Sequence, residues 1–394
     1  MRSHRYAAAA SVALMLCCAY ACSSDPTDPA ADEDSGTGPG PGPGADGSPQ
    51  GDTGPGPDPD GSTDGSTDAA DAAVTCVGNP LTADGGTPDG GANPEAGLRP
   101  LGINYPFIVA TSFLDGPQWV EADGGGSLVF TQITSDPPRV LRVAIDGGAA
   151  TTVRPGPVGQ GELPIGNAFR NNMIYTAVAN NNNGAGSGSI WQTRPNGDAG
   201  PTIVAAPATN PNDLVVTENG TIFFTDPQYQ TNPAVATGLY RVAPDGGVAL
   251  VQGNLARPNG IALSRDGTQL YVGLGPLAAE NPQTTKGVLV FTVAAGGTIT
   301  PPGTPFLAAA DLADTPDGIA IDVGGNLWVA EAAANGASSG RVEVFSPTKV
   351  KLGTLSFPTE RPTGIAFGGP GDTTVFVTTE TNVWVYPSRC AGVR

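Results

Sequence analysis

Apolar and polar residues alternate along most of the chain beyond about residue 100. In the stretch 257–272, Ile261 and Leu263 alternate with small residues, an Asp-Gly turn follows, and Leu270 and Val272 resume the alternation. Apolar residues at every second position on both sides of such a turn are typical of a β-hairpin. We therefore predict that this part of the chain consists of short antiparallel strands.

The hairpin pattern repeats along the chain. With Asp213, Gly260, Gly318 and Gly364 taken as equivalent positions, successive copies are 47, 58 and 46 residues apart. Two further units of the same kind precede them, and no convincing amphipathic helix separates the units. Six four-stranded repeats of this length predict an all-β fold, a six-bladed β-propeller. The last unit has three clear strands, so we expect the spare strand near Phe107 to close the ring.

The first residues have the character of a targeting segment. Arg2 and Arg5 precede an apolar stretch that is too short to span a membrane comfortably, and small residues stand just before Cys22. The pattern resembles a bacterial lipoprotein signal peptide over residues 1–22, with Cys22 as the lipidated residue. Ordinary cleavage nearby, which would give a secreted protein, is the alternative. Both predict an exported protein, and we expect a lipoprotein of the bacterial cell envelope.

Residues 23–98 are predicted to form a disordered linker rich in glycine, proline and aspartate. Ser23 to Thr75 contains 12 acidic residues and no basic one, with no aromatic side chain, so it lacks the apolar surface needed to fold. The propeller is then expected over residues 99–394. From Cys76 onward 25 acidic and 16 basic residues remain. An acidic domain without a basic stripe argues against binding to nucleic acid.

Two cysteines remain after the predicted signal is processed. Cys76 and Cys390 flank the folded region, and an exported compartment permits a disulfide between them. Two free thiols are the alternative. We predict the bond, which would tie the end of the linker to the last strand.

Polar residues at the start of the inner strands are the candidates for chemistry. In a propeller the innermost strand of each blade faces the central channel, so equivalent repeat positions meet at the axis. Four units carry a side-chain oxygen there, and the only histidine, His4, lies in the predicted signal. Oxygen ligands favour a hard cation such as Ca²⁺, whose charge two carboxylates balance. The predicted metal ligands are Asp115, Asn212, Asn259 and Asp317.

An Asp or Asn before glycine often does no more than form a turn, because its side chain bonds the local backbone. We assign that role to Asp146, Asp245 and Asp266. For Asn259 and Asp317, the matching repeat position after a proline favours the ligand role.

Three other acidic residues receive structural assignments. Asp226 ends an inner hairpin strand and is predicted to anchor one blade to the next through hydrogen bonds. Glu280 and Glu331 are expected in long connections near the channel mouth. Solvated loop is the default for both, and substrate contact is the alternative. Trp119 and Trp328, like Trp384, are predicted to belong to the core.

Five motifs in register point to a family. They begin at Asp115 (Asp-Gly-Pro-Gln-Trp), Asn212 (Asn-Asp-Leu-Val-Val), Arg257 (Arg-Pro-Asn-Gly-Ile-Ala), Pro316 (Pro-Asp-Gly-Ile-Ala-Ile-Asp) and Gly364 (Gly-Ile-Ala-Phe-Gly-Gly). The pattern to which they belong covers roughly residues 105–388. Their order resembles that of the SMP-30/gluconolactonase family of calcium-dependent six-bladed propellers.

The resemblance implies a divalent cation held by the four predicted ligands, with Asp317 also acting as the catalytic base. It further implies substrate contacts from Asn210 and Asn212. Two positions depart from the family pattern. The first ligand is usually glutamate, and Asp115 is one methylene shorter. Many sugar-lactone hydrolases of the family carry arginine where Asn210 stands.

The sequence thus predicts an exported metal-dependent hydrolase that opens a lactone ester, a sugar lactone or a related one. A covalent Ser-His-Asp triad is excluded because the folded region has no histidine. One alternative is a non-catalytic, envelope-tethered propeller that binds a sugar or a protein, and another is hydrolysis of a phosphotriester or other ester at the same metal. We expect a monomer with a small-molecule substrate, no nucleic acid, and membrane association only through the lipid anchor.

Overall fold

The computed structural model describes residue 76, residues 79–81, 98–101 and 103–104, and most of 113–393. Within the last range it leaves out residues 123–124, 136, 157–160, 181–186, 228, 230–236, 277–284 and 334–338. The predicted signal peptide, including Cys22, and most of the predicted linker lie outside the described residues, as do Phe107 and Glu280. No helix in the described ranges is long and apolar enough to span a membrane.

The described chain forms six sheets arranged as the blades of a propeller, which confirms the predicted fold. Two short strands come first, β1 (Arg99–Pro100) and β2 (Ile103–Asn104). β2 pairs in parallel with the outer strand of blade one, and all other strand pairs in the described chain are antiparallel. Blade one contains β3 (Leu114–Ala122), β4 (Gly125–Gln132), β5 (Arg139–Ala144) and β6 (Gly147–Pro155). Blade two contains β7 (Glu162–Arg170), β8 (Met173–Asn180), β9 (Ser189–Thr193) and β10 (Ala199–Val204). Blade three contains β11 (Leu214–Val216), β12 (Ile222–Asp226), β13 (Gly238–Val242) and β14 (Val248–Gly253).

The remaining three blades follow the same order from inner to outer strand. Blade four contains β15 (Pro258–Leu263), β16 (Gln269–Leu274), β17 (Gly287–Ala294), β18 (Thr298–Ile299) and β19 (Thr304–Leu307). Blade five contains β20 (Thr315–Ile321), β21 (Leu327–Ala332), β22 (Gly340–Phe345) and β23 (Lys351–Phe357). Blade six contains β24 (Pro362–Gly368), β25 (Thr374–Thr379) and β26 (Val383–Pro387).

The ring closes through the N-terminal strand β1. Arg99 pairs with Val385 and Pro100 with Trp384, so β1 supplies the outer strand of blade six, which is otherwise built from the C-terminal end of the chain. This pairing covers an edge that would otherwise be exposed. The closing strand therefore lies upstream of Phe107, the position predicted for it.

Aromatic side chains fill the wedges between neighbouring blades. Trp119 of blade one stacks on Phe376 of blade six, with ring centres 5.5 Å apart. Trp328 of blade five meets Phe367 of blade six edge to face at 5.3 Å. Both tryptophans are buried, at 3% and 0% exposure, as predicted. Such pairs add about 0.5–1.5 kcal/mol each to the gain from burial.

The segment that precedes the propeller is fastened to blades five and six at Cys76 and Leu81. Cys76 and Cys390 form a disulfide with their Cα atoms 5.4 Å apart. Leu81 is 4% exposed and packs in the core between these blades, and its carbonyl accepts a hydrogen bond from the Tyr386 hydroxyl. The folded part thus includes residues upstream of the boundary placed at residue 98.

Replacement of Cys390 by serine tests the contribution of this disulfide. The bond links residues 314 positions apart, so its loss frees a very large loop in the unfolded chain. We expect Cys390→Ser to lower the free energy of unfolding by about 2–5 kcal/mol. Urea denaturation of the oxidised wild type and the variant measures this, with reduced wild type as the control. Equal unfolding midpoints for all three would show that the bond contributes nothing.

Candidate active site at the propeller axis

The inner strands approach each other so closely that five of the six carry glycine at one equivalent position. A Cβ atom on Gly260 would lie 2.2 Å from the carbonyl oxygen of Asp317 in the next blade, and one on Gly318 would lie 2.5 Å from the Cα of Gly364. Because a side chain at these glycines would collide with the backbone of the next blade, the residue just before each of them is the first whose side chain can occupy the axial space.

The residues at that preceding position form the polar centre of the ring. In blades two and six they are Ile165 and Thr363, and the Thr363 hydroxyl is already used as a donor to the carbonyl of Leu114. In the other four blades they are the predicted ligands. The term hub is used below for the residues Asp115, Asn212, Asp213, Asn259 and Asp317.

Blade three departs from the glycine rule. Its equivalent position is Asp213, whose Oδ1 accepts a hydrogen bond from the Leu214 amide at 3.0 Å. The Ile261 amide of blade four also bonds this carboxyl group. A Cβ atom on Gly166 of blade two would lie 2.4 Å from Asp213 Oδ1. Asp213 therefore reaches both neighbouring blades and adds a third carboxyl group to the axis, which the sequence reasoning missed.

The three hub carboxyl groups strongly influence one another. Burial raises the pKa of Asp115 to about 6, although a hydrogen bond from the Gly116 amide partly opposes the rise. Burial and the charge of Asp115 raise the pKa of Asp213 to about 8. Burial, Asp115 and Asp213 also raise the pKa of Asp317, against the lowering effect of Arg361. The structure thus brings Asp115 and Asp317 together, and the described side chains leave this negative charge incompletely compensated.

A hydrogen-bonded chain leads from the hub to Tyr229. Asn259 Nδ2 donates to the Tyr229 hydroxyl at 3.0 Å, and the Asn259 side chain also bonds Asp317. Asn259 is 7% exposed, whereas Tyr229 is 37% exposed. Burial of its hydroxyl group and the nearby charge of Asp317 raise the pKa of Tyr229, so this hydroxyl stays protonated. No periodic signal in the sequence marks Tyr229 as a site residue.

Asn210 and Asn212 lie at the entrance to β11. Asn212 is 6% exposed and its amide donates to the carbonyl of Thr225 at 2.9 Å. Asn210 is 1% exposed, and neither polar atom of its side chain has a hydrogen-bond partner among the residues that the structure describes. A buried carboxamide without partners is energetically costly, which is typical of a group kept for a ligand.

Asp226 holds the segment that carries these asparagines. Its Oδ2 accepts hydrogen bonds from the amides of Thr209 at 2.9 Å and Asn210 at 3.1 Å. Asp226 is 0% exposed, so its charge depends on these donors. The anchored amides belong to the loop that connects β10 of blade two to β11 of blade three. The carbonyl of Thr209 in this loop also accepts a hydrogen bond from the Asn180 amide of blade two at 3.1 Å, so Asp226 contributes to the predicted link between the two blades.

Glu331 plays the corresponding part in blade five. It lies in β21 opposite Pro316, is 0% exposed, and accepts a hydrogen bond from the Asp314 amide, just before the strand that carries Asp317. The prediction of a solvated loop was therefore wrong, because the carboxyl group is enclosed by the blade and bonded to the incoming chain. Burial raises the pKa of Glu331 to about 8.

A cavity of about 790 Å³ extends from the hub toward the far ends of the inner strands. Its lining begins at Asp115 and Asp213 and extends to the hairpin turns 217–219 and 264–268 at the far ends of the inner strands. Asn210, Tyr229 and Arg257 do not line it. Of the hub residues, Asp115 and Asp213 thus line this cavity, whereas Asn212, Asn259 and Asp317 do not.

The hub fits a hard divalent cation by its chemistry. Within the described chain, no three acidic, histidine or cysteine side chains form a cluster with metal-ligand geometry. The predicted set combines two carboxylates with two carboxamides, and all its donors are oxygens, as Ca²⁺ prefers. The raised pKa values of Asp115 and Asp317 show negative charge that a cation would compensate.

These features define a six-bladed propeller with a buried, oxygen-rich, acidic hub. The chain matches the profile of the family described as SMP-30/Gluconolactonase/LRE-like region over residues 114–381. It belongs to this family, which confirms the resemblance.

Curated relatives carry names from the same group. The gluconolactonase of Zymomonas mobilis is 29% identical over 317 residues, which cover 72% of this chain and 81% of that protein. The pentonolactonase XacC of Haloferax volcanii is 28% identical over 179 residues, covering 45% of this chain and 55% of that one.

Solved structures share the fold. The gluconolactonase XC5397 of Xanthomonas campestris superposes with a TM-score of 0.57 at 24% identity, over 74% of this chain and 89% of its own. Regucalcin of Agrobacterium tumefaciens, described as a calcium-binding protein, superposes with a TM-score of 0.53 at 16% identity, over 71% and 91% of the two chains.

The pH dependence of stability tests the electrostatics of the hub. Asp115 and Asp213 have folded-state pKa values of about 6 and about 8, above their ordinary 3.8, so the folded protein binds more protons than the unfolded one between these limits. Their contribution to stability is complete below about pH 4 and is lost as the pH rises through 6 and 8. Glu331 acts in the same direction.

We therefore expect the melting temperature in chelator to fall between pH 5 and pH 8. Calcium should reverse the fall, because it favours the ionised carboxylates. Asp213→Asn keeps a side-chain oxygen for the Leu214 amide but cannot ionise, so its melting temperature should depend less on pH. A wild type whose melting temperature rises over this range in chelator would contradict the assignment.

Substitution of the two anchoring acids tests their effect on the predicted ligands. Asp226→Val and Glu331→Leu remove the acceptors for the loop amides, and we expect calcium affinity to fall by about 10- to 100-fold. Asp226→Asn and Glu331→Gln retain an acceptor oxygen and should lose much less. Titration calorimetry measures the affinity.

Val344→Ala is the matched control, since Val344 is buried in blade five without touching the anchored loop. It should lower the melting temperature without weakening calcium binding. An equal loss of affinity in Val344→Ala and Glu331→Leu would mean that the acids act only through general stability.

Proposed function

We propose that the protein is an exported, metal-dependent hydrolase that opens a lactone ester. The observation that carries the proposal is the convergence of Asp115, Asp213 and Asp317 at one buried place, beside the carboxamide of Asn259. Membership of the SMP-30/gluconolactonase family supports it, as do relatives named gluconolactonase and pentonolactonase. A sugar lactone is the proposed substrate.

Four of these side chains would hold the cation, and Asn210 and Asn212 would contact the substrate. Asp115, Asn212, Asn259 and Asp317 would hold Ca²⁺ or another divalent cation. When bound, such a cation polarises an ester carbonyl and stabilises negative charge on its oxygen. The unpartnered carboxamide of Asn210 would accept and donate hydrogen bonds to the substrate together with Asn212.

Asp317 is the proposed general base. Its carboxyl group is buried in the hub, which would place it next to the ester that the cation polarises. The hydrogen bond from Asn259 fixes its orientation. Asp317 would take a proton from the attacking water as the carbon–oxygen bond forms, and the ring oxygen would leave with a proton to give the hydroxy acid.

Export is part of the same proposal. The basic and apolar residues 1–22 support a lipoprotein signal with Cys22 as the lipidated residue, and secretion is the alternative. The disulfide between Cys76 and Cys390 suits an oxidising compartment outside the cytoplasm.

The test compares Asp317→Asn with the wild type on a panel of lactones, with acid release followed in a pH-stat. Asparagine keeps an oxygen that can bind a cation but is no base, so we expect calcium to bind while turnover falls by about 10²- to 10⁴-fold. Asp266→Asn is the matched control, because Asp266 forms a turn with the Thr268 amide on the surface. Wild-type activity that persists in chelator, or in Asp317→Asn, would refute the mechanism.

A further inference from the structure

Arg257 places a positive charge beside the hub, and no carboxylate in the described ranges pairs with it. Its guanidinium carbon is 5.5 Å from the centre of the Tyr229 ring, within the range of a cation–π interaction. The residue is half-buried, and no carboxylate of the described chain lies within ion-pair distance of it. A guanidinium has five N–H donors, and here none is bonded to another described side chain.

The backbone of Arg257 is strained in a way that glycine would relieve. Its φ angle is +36°, and its carbonyl oxygen accepts a hydrogen bond from the Gly275 amide at 3.1 Å, which helps to hold this conformation. A side chain with a Cβ atom is disfavoured in this region, whereas glycine adopts it readily. Strain of this kind is concentrated at functional sites. An arginine at this position therefore indicates a role for its side chain.

Equivalent positions in other blades do not offer such a charge. Arg257 stands two residues before Asn259, as Asn210 stands before Asn212 and Arg361 before Thr363. Asn210 is neutral, and Arg361 is already bonded to Glu380 through Nε and Nη2. Of these three side chains, Arg257 alone has both a positive charge and unused donors.

We propose that Arg257 and Tyr229 form the wall that selects the substrate. The proposal rests on the proposed lactone-opening function and assigns recognition of the hydroxyl groups of the sugar lactone to these two side chains. The ring of Tyr229 packs against the carbon–hydrogen face of the lactone, and the guanidinium donates hydrogen bonds to its hydroxyl groups. Tyr229 is 37% exposed, so a ligand can reach it. Through Asn259 its hydroxyl is tied to the hub, which places this wall next to the reacting ester.

The experiment measures KM and kcat of Arg257→Gly and Arg257→Gln on two lactones of equal ring size. One is a polyhydroxylated aldonolactone and the other carries no hydroxyl groups. We expect both variants to raise KM for the aldonolactone roughly tenfold, since lost charged hydrogen bonds are of that order, with little change in kcat. The KM for the lactone without hydroxyl groups should stay the same.

The melting temperature distinguishes this role from a merely structural one, because the loss of a structural arginine would lower it. Because glycine accepts the positive φ angle, Arg257→Gly should melt at or above the wild-type temperature while losing affinity for the aldonolactone. Arg170→Gln is the matched control. Arg170 pairs with the exposed Glu218 near the opposite end of the channel, so the same change of charge there should leave both KM values unchanged.

Binding of the hydroxy acid product separates this proposal from the proposed function. Millimolar aldonic acid should raise the melting temperature of the wild type and of Arg170→Gln, and raise that of Arg257→Gly much less. If the wild type turns over no lactone yet shows this pattern, the hydrolase function fails and the recognition role of Arg257 stands. An unchanged KM for the aldonolactone, an equal rise for both lactones, or a lower melting temperature for Arg257→Gly would overturn the role of Arg257.

Discussion

The close approach of the inner strands at the propeller axis is the constraint on which the site depends. Because the strands meet at glycine, the side chains just before those glycines are enclosed by backbone on most sides. Carboxyl groups at these positions, or at the glycine position itself in the case of Asp213, are poorly solvated and repel one another, as the pKa values of Asp115, Asp213 and Asp317 show. The fold thereby concentrates negative charge where a cation can compensate it.

Two kinds of support hold this arrangement in place. Asp213 bridges to the neighbouring blade through the Ile261 amide, and it does so at the one hub position where glycine is replaced. Asp226 and Glu331 are buried acids that bind the amides of the loops entering blades three and five. Both loops lead directly into residues of the hub. Two further buried carboxyl groups, those of Asp226 and Glu331, therefore help to orient the residues of the hub.

Much of the fold could be predicted from the sequence because each blade repeats one local pattern. The equivalence of Asp213, Gly260, Gly318 and Gly364 fixed the inner strands, and the alternation around them fixed their hairpins. The axial convergence of Asp115 and Asp317 followed from the repeat alone. The closing strand was misplaced because β1 is only two residues long and carries no alternation of its own.

Contacts that depend on three-dimensional packing could not be predicted in this way. Glu331 is distinguished by its burial and by the Asp314 amide that it binds, and nothing in its local sequence shows either. Tyr229 and Arg257 are brought together from different blades, so no spacing rule connects them. Asp213 was counted as a glycine equivalent, and its own carboxyl group was overlooked for that reason.

The most direct test of the account is a crystal structure of the protein grown with calcium. We predict one cation at the axis, in contact with side-chain oxygens of Asp115, Asn212, Asn259 and Asp317, in the wild type and not in a variant with Asp115 and Asp317 both changed to alanine. A wild-type map without a cation among these four side chains, or with the side chains turned away from each other, would contradict the central claim.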